Sequence, residues 1–271
     1  TYQKVTYYRG IQLYQNGQKE EARRYFNKSL EQPSDRRLAA LCSFWMGAIA
    51  NEAGDYPTSK QHLTAFLNQA KNYGDLPEES NAAMGNYIQG YNFLKSKDYR
   101  TALGNFKFTV DALKRNEDRI RTDQIKNALL SDAILRAGDC HFKLNQYNDA
   151  IAYYNDAINR KDEGFEYALY QKAMIKGLQG QQTDKIVALE NLVDKHPNSR
   201  FTDEALYQLG STYQDLGKYD QAIQPLRRLV QDFRGKSNLV NQALLRLGLI
   251  SYNQGNTNAA TNYYKQVFAN N

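Results

Sequence analysis

Side chains that could carry out catalysis or bind a metal are few in this sequence, and they lie far apart. The three histidines are His62, His141 and His196, and no two of them have the spacing of zinc ligands. The two cysteines, Cys42 and Cys140, fall in different segments, which favours buried free thiols over a disulfide. No glycine-rich loop has the spacing that cradles a phosphate group. The sequence therefore predicts a protein without catalytic residues, metal sites or cofactors, which is not an enzyme.

The elements that carry these side chains repeat along the chain. A small residue, called the anchor below, recurs every 35 to 48 residues. A second small residue follows twelve positions after most anchors, and a large apolar residue follows sixteen positions after each. Such a period over a whole chain predicts a solenoid, which is a protein of extended surfaces and not of one pocket. The anchors are Gly10, Gly47, Gly90, Gly138, Ala173, Gly210 and Gly248.

Each repeat has the pattern of two helices joined by a tight turn. Around Gly210, apolar residues recur at helical spacing as far as Gly217, a residue that readily adopts the left-handed conformation that ends a helix. The second helix carries Ala222 and Leu226 on one face. The small residues Gly210 and Ala222 predict a close approach of the two helices of an αα-hairpin. In the fifth repeat Lys185 replaces the second small residue, which predicts a splayed hairpin.

The order of residues within a repeat resembles the tetratricopeptide repeat (TPR). The best match consists of Leu209-Gly210, Tyr213, Gly217, Tyr219 and Ala222. The resemblance covers essentially all 271 residues. It implies an all-α fold, a right-handed α-solenoid of about seven TPR-like αα-hairpins in a single domain. The implied repeats are 3–36, 40–73, 83–116, 131–164, 166–199, 203–236 and 241–271.

The resemblance also implies a binding surface. In TPR proteins the first helices of the hairpins line a concave groove, and this sequence places aromatic residues at offsets that face it. Its 21 tyrosines suit peptide recognition, because tyrosine joins an apolar body to a polar tip. The alternative, which the sequence leaves open, is that these aromatics are ordinary packing residues. The candidate groove residues are Tyr7, Tyr14, Phe44, Tyr87, Tyr91, Lys95, Lys143, Tyr170 and Tyr207.

The junction between the fifth and sixth repeats carries a more specific resemblance. The segment from Lys195 to Tyr207, which includes Pro197-Asn198-Ser199, is similar to the inter-repeat junctions of bacterial cell-envelope TPR proteins. Those proteins include the lipoprotein of the barrel-assembly machinery and the coordinator protein of the Tol–Pal system. The resemblance implies a periplasmic or outer-membrane-associated protein, and the sequence leaves a cytoplasmic location open.

Charge and hydropathy narrow the class of partner. The 35 basic and 29 acidic residues give a net charge of +6, and the two signs are interspersed. Because no basic stripe suits a phosphate backbone, we predict no nucleic-acid partner. No apolar run approaches 20 residues, so we predict no direct membrane insertion. Neither end, at Thr1 or at Asn271, has a polar capping helix, which predicts a segment of a longer protein that can self-associate through its uncapped ends.

These observations predict a non-catalytic interaction scaffold that binds a protein or an extended peptide in its concave groove, in a bacterial cell envelope. Two alternatives stay open: a cytoplasmic regulatory module whose repeats sense a peptide, and the TPR part of a larger multidomain protein. The full-length sequence would separate the three. A signal peptide supports the first, an N-terminal DNA-binding domain the second, and a catalytic motif the third.

Overall fold

A computed structural model describes residues 2–117 and 120–269, and in these ranges the chain is helical without any strand. The predicted all-α solenoid of αα-hairpins is confirmed. The two ends, Thr1 and Asn271, lie outside the described residues. The α-helices of the described ranges are α1 (Tyr2–Gln15), α2 (Lys19–Glu31), α3 (Arg36–Glu52), α4 (Tyr56–Ala70), α5 (Ala82–Lys95), α6 (Tyr99–Arg115), α7 (Leu130–Lys143), α8 (Tyr147–Arg160), α9 (Phe165–Leu178), α10 (Gln182–Lys195), α11 (Thr202–Asp215), α12 (Tyr219–Phe233), α13 (Leu239–Asn253) and α14 (Thr257–Ala269).

Local signals in the sequence set where these helices begin and end. Asp55 and Asp98 precede α4 and α6, and their carboxylates accept hydrogen bonds from backbone N–H groups of the first turn. Between the two helices of a hairpin, one residue takes the left-handed conformation, as Gly217 does with a φ of 71°. Lys97 and Asn145 occupy the same turn position with φ values of 60° and 59°. The turn is therefore kept even where its glycine is absent.

The anchor glycines lie where the two helices of a hairpin meet. A Cβ atom on Gly210 would lie 2.4 Å from Cγ of Leu226, and a Cβ atom on Gly90 would lie 2.8 Å from Cε1 of Phe106. Leu226 and Phe106 are both fully buried. The large residue sixteen positions after the anchor therefore packs against the anchor of its own hairpin.

The fifth hairpin, α9 and α10, stays closely packed despite its departures from the pattern. Ala173 is fully buried, and the side chain of Lys185 is 9% exposed. A Cβ atom on Gly177 would lie 2.8 Å from Cδ of Lys185, so this glycine makes room for the lysine stem. Nζ of Lys185 donates to Oε1 of Gln208 at 2.9 Å. The pattern predicts a splayed hairpin, and the structure shows instead that a glycine four positions after the anchor accommodates the long side chain.

We expect Lys185→Ala to lower the free energy of unfolding by roughly 2 kcal/mol, because it removes the buried stem and leaves a cavity. Burial lowers the pKa of Lys185, and the nearby Asp215 carboxylate offsets this only in part. Lys185→Met keeps the apolar stem and removes the charge that burial disfavours. It should change the free energy by less than about 1 kcal/mol. Urea unfolding of both variants would check this, and an alanine variant as stable as the parent would contradict it.

The chain forms two compact units, Thr1–Ala157 and Ile158–Asn271. In each unit the second helix of a hairpin packs against the first helix of the next hairpin. The core of the first unit contains the aromatic residues Phe26, Phe44 and Trp45, whereas the fully packed core residues of the second unit are aliphatic: leucine, isoleucine, valine and alanine. Both cysteines are buried free thiols. Among the described residues, no helix is both long and apolar enough to cross a membrane.

Candidate partner-binding surface

Two of the predicted groove residues lie in the core of the first unit. Tyr7 and Phe44 are 5% and 1% exposed. The ring of Tyr7 lies 6.0 Å from that of Phe26, and the ring of Phe44 lies 5.2 Å from that of Phe66. A partner cannot reach either ring without unpacking the hairpins. In the structure, Tyr7 and Phe44 are therefore core packing residues.

Tyr14 and the two predicted lysines lie nearer the surface. The ring of Tyr14 lies 4.8 Å from that of Trp45, and its hydroxyl donates to Glu52 of the next hairpin at 2.5 Å. Burial and this hydrogen bond raise the pKa of Tyr14 well above its usual range. Lys95 and Lys143 are exposed at the ends of α5 and α7. These lysines are accessible to a partner, whereas Tyr14 bridges two hairpins.

Tyr87 and Tyr91, on successive turns of α5, belong to a polar network between two hairpins. Both hydroxyls donate to Oδ2 of Asp132 on α7, that of Tyr87 at 2.9 Å. Both rings also pack against Phe106. Burial and the Asp132 carboxylate raise the pKa of each tyrosine, so both stay neutral hydrogen-bond donors at physiological pH. The structure therefore joins α5 to α7 through two of the candidate groove tyrosines.

The network continues along α7 through Arg136. Its Nε lies 3.2 Å from Oδ1 of Asp132, and its Nη1 donates to Oδ2 of Asp139. The other oxygen of Asp139 accepts from the hydroxyl of Tyr154 at 2.7 Å. Three helices, α5, α7 and α8, are thus linked through two carboxylates and one guanidinium group. Sequence analysis missed this role because spacing along the chain does not show which side chains meet across hairpins.

In the second unit, Tyr207 on α11 is held by α13. Nε of Arg246 donates to the Tyr207 hydroxyl at 3.0 Å, and the guanidinium lies over the tyrosine ring, 5.2 Å from its centroid. Nη1 of Arg246 also donates to Oε1 of Gln214 at 2.7 Å. Tyr207 and Gln214 lie seven positions apart on α11, so both line the same side of that helix. This side of α11, with the neighbouring part of α13, forms a half-buried polar strip.

An exposed apolar stripe lies beside that strip on α13. We call it the α13 stripe; Leu245, Leu249 and Tyr252 are 49%, 45% and 63% exposed. Their spacing of four and three residues places them on one side of the helix. Three large apolar side chains left open along one helix are typical of a contact surface. The candidate groove residues predicted from the sequence do not include these three side chains.

Tyr170 on α9 packs on the segment before α11. Its ring stacks on Phe201 with centroids 5.8 Å apart and an angle of 15°. Burial and the nearby carboxylates of Glu204 and Asp203 raise the pKa of Tyr170. Oε2 of Glu204 is buried and has no hydrogen-bond partner among the described residues. Burial, and then a hydrogen bond with Asp203, raises the pKa of Glu204 to about 7.

We expect the stability of the second unit to fall as the pH rises from the range where an unfolded glutamate titrates, near about 4.3, towards 7. The sign follows from the raised pKa, because the folded state holds the proton of Glu204 that the unfolded state has already lost. Glu204→Gln should remove this penalty. Relative to the parent, its melting temperature should be higher at about pH 8 and unchanged at about pH 4. Exposed Glu163→Gln is the control, and equal shifts for both variants would contradict the expectation.

Two of the three histidines, His141 and His196, pack against aromatic rings. Nδ1 of His141 lies 2.8 Å from Oε1 of Gln146, and its ring stacks on Tyr153. The ring of His196 lies 5.1 Å from that of Phe165. In residues 2–117 and 120–269, no group of three histidine, cysteine or acidic side chains is placed to hold a metal ion.

Four hairpins match a known repeat family in sequence. The family model for the tetratricopeptide repeat matches residues 132–160, 167–199, 204–235 and 242–271. These four segments are tetratricopeptide repeats. The matches span the fourth to the seventh hairpin, which includes every helix of the α13 stripe and of the Tyr207–Arg246 contact. No curated protein matches the sequence.

Solved structures confirm the TPR fold along the chain. The C-terminal part of a TPR repeat-containing protein from Cytophaga hutchinsonii is 11% identical, with a TM-score of 0.73 over 97% of this chain and 94% of its own. A tetratricopeptide repeat protein from Parabacteroides merdae is 12% identical, with a TM-score of 0.60 over 99% of this chain and 93% of its own. PilW, a widely conserved type IV pilus biogenesis factor, is 15% identical, with a TM-score of 0.58 over 89% and 98%. At these identities the likeness is one of fold.

Proposed function

We propose that this protein is a non-catalytic scaffold that binds a protein or an extended peptide along the first helices of its hairpins. The observation that carries the proposal is the α13 stripe, where Leu245, Leu249 and Tyr252 stay between 45% and 63% exposed. Solvent-exposed leucines on successive turns leave apolar area in water that a partner would cover. TPR repeats typically mediate protein interactions, which supports the same function.

The polar strip beside the stripe defines what kind of segment would fit. Arg246 is held by the neutral acceptors Tyr207 and Gln214, and guanidinium groups can make up to five hydrogen bonds. Arg246 can therefore donate further bonds to backbone carbonyls or to an acidic side chain of the partner. An extended segment with apolar side chains towards Leu245 and Leu249, and a polar edge towards Arg246, matches this surface.

We further propose that the scaffold acts in a bacterial cell envelope. This part rests on the resemblance of the junction around Pro197-Asn198-Ser199 to those of envelope TPR proteins, together with the tetratricopeptide repeats on both sides of it. Fractionation of cells that express the full-length gene would test it. Recovery in the periplasm or with the outer membrane is expected, and recovery only in the cytoplasm would contradict it.

The double variant Leu245→Ala/Leu249→Ala tests the binding surface. We expect it to reduce partner capture from envelope extract by tenfold or more, because apolar anchors at an interface contribute on the order of 2 kcal/mol each. Since both leucines are exposed, the melting temperature should stay nearly unchanged. The measurement is quantitative pull-down with the immobilised protein, beside a thermal melt.

Val187→Ala is the matched control for that experiment. Val187 is 51% exposed on α10, the second helix of its hairpin, and it is as apolar as the leucines of the stripe. Its removal should leave capture unchanged. If Val187→Ala and the double variant reduce capture equally, or if neither reduces it, the α13 stripe is not the binding surface.

A further inference from the structure

A second groove in the same unit lies between the second helices α12 and α14. We call it the α12–α14 groove, and its volume is about 470 Å³, within the range of ligand sites. Val230 and Leu247 form an apolar floor. Leu247 is two residues from both Leu245 and Leu249 on α13, a rotation of about 200°, so the groove and the α13 stripe lie on opposite sides of that helix. The groove is therefore separate from the surface proposed above.

Two arginines along one wall give this groove its charge. Arg227 and Arg234 lie seven positions apart, which is about two helical turns or roughly 10 Å. Nε of Arg227 donates to the Tyr263 hydroxyl at 2.9 Å, and Nη2 of Arg234 donates to Oε1 of Gln266 at 2.7 Å. Both acceptors are neutral and stand on the opposite wall, α14. They orient the guanidinium groups across the groove without neutralising them.

No carboxylate lines this groove among the described residues. The neighbouring Arg228 shows the contrast, because it lies 3.8 Å from Asp194 and 3.4 Å from Asp232. Neither Arg227 nor Arg234 makes a salt bridge with any acidic side chain that the structure describes. Each also keeps most of its five N–H donors for further bonds. The groove therefore combines two oriented positive charges with an apolar floor between its walls.

We propose that the α12–α14 groove binds an acidic peptide segment in which an apolar side chain stands between carboxylates. The carboxylates would pair with Arg227 and Arg234, and the apolar side chain would pack against Val230 and Leu247 at the groove floor. Paired arginine–carboxylate contacts give geometric specificity as well as attraction. An apolar side chain of a peptide can pack against this floor, whereas a phosphate backbone has no such group to place there.

The probe is a short fluorescein-labelled peptide with one leucine between two pairs of glutamates, and its counterpart carries glutamine in place of glutamate. Binding to the full chain is measured by fluorescence anisotropy at about 0.15 M salt. The glutamate peptide should bind and its glutamine counterpart should bind at least about tenfold more weakly. Arg227→Gln/Arg234→Gln should weaken binding of the glutamate peptide at least about tenfold.

Three further variants make the test specific. Lys218→Gln/Lys265→Gln removes the same net charge from exposed positions outside the groove, and it should change affinity by less than about twofold. Ala259→Phe fills the groove from α14 and should abolish binding, with circular dichroism to verify its fold. Leu245→Ala/Leu249→Ala should leave this binding unchanged, so the two surfaces can fail independently.

Several outcomes would overturn the proposal. Equal weakening by the two double charge variants would mean general attraction to a positively charged chain. Equal binding of both peptides, or no measurable binding of the glutamate peptide, would remove the role of the arginines. A single-stranded oligonucleotide that displaces the peptide from the parent, and loses affinity with Arg227→Gln/Arg234→Gln, would assign the groove to phosphate instead.

Discussion

Phe106→Ala is expected to lower the free energy of unfolding by about 3–5 kcal/mol, the range for truncation of a fully buried aromatic residue. Phe106 has no exposed surface, lies against Gly90, and packs edge-on against Tyr91 with ring centroids 5.4 Å apart. Its loss would open a cavity beneath Tyr87 and Tyr91, whose hydroxyls hold Asp132. Urea unfolding followed by circular dichroism would measure the change.

Phe108→Ala is the matched control in the same helix. Phe108 is 48% exposed, two positions from Phe106 and therefore on the other side of α6. Its truncation should cost less than about 1 kcal/mol, since little of its contact surface is buried. Trp45, the only tryptophan, lies in the core of the same unit and gives an independent fluorescence signal. If the two phenylalanine variants are equally stable, the register of α6 is wrong.

Gly210→Ala is expected to lower the free energy of unfolding by about 1–3 kcal/mol, as overpacking of a core does. The added methyl group would lie 2.4 Å from Cγ and 2.6 Å from Cδ2 of Leu226. Leu226 is fully buried among Leu229 and other core residues, so it has no free space to move into. This cost exceeds the gain of up to about 1 kcal/mol that alanine brings over glycine inside a helix.

Gly104→Ala should have the opposite sign. Gly104 lies inside α6, and no atom outside its own helix lies within 4 Å of a Cβ atom placed on it. The substitution should therefore raise the free energy of unfolding by roughly 0.5–1 kcal/mol, through helix propensity alone. Chemical denaturation of both variants would measure the two effects. Stabilisation by both substitutions would contradict the close approach at the anchor.

The sequence by itself determined the architecture, because the physics that sets it is local. Small residues at Gly210 and Ala222, with Leu226 four positions later, require two helices in close contact, and the structure has this hairpin. Helix ends follow from capping groups such as Asp55 and from turn residues such as Gly217. A period of this length also implies that each hairpin buries its apolar face against the next, which is why the solenoid could be predicted from a single chain.

Only the tertiary structure decided which side chains are available for contact. Tyr7 and Tyr87 occupy equivalent positions before their anchors, yet Tyr7 is buried in the core whereas Tyr87 hydrogen-bonds to Asp132 on another hairpin. Burial of an aromatic ring depends on the size of the neighbours it meets across a helix interface, and repeat spacing holds no information on that. Lys185 shows the same limit, because Gly177 makes room for it from the facing helix.

The two proposed surfaces depend on tertiary structure for a similar reason. Leu249 is exposed and Leu247 buried because α13 turns one towards solvent and the other towards α12 and α14. Arg227 and Arg228 are neighbours in sequence, but Arg228 lies beside two aspartates whereas Arg227 meets a tyrosine hydroxyl. The sequence therefore determines which charged and apolar side chains are present. What each helix packs against decides whether a charge is neutralised and whether an apolar side chain is buried or left exposed for a partner.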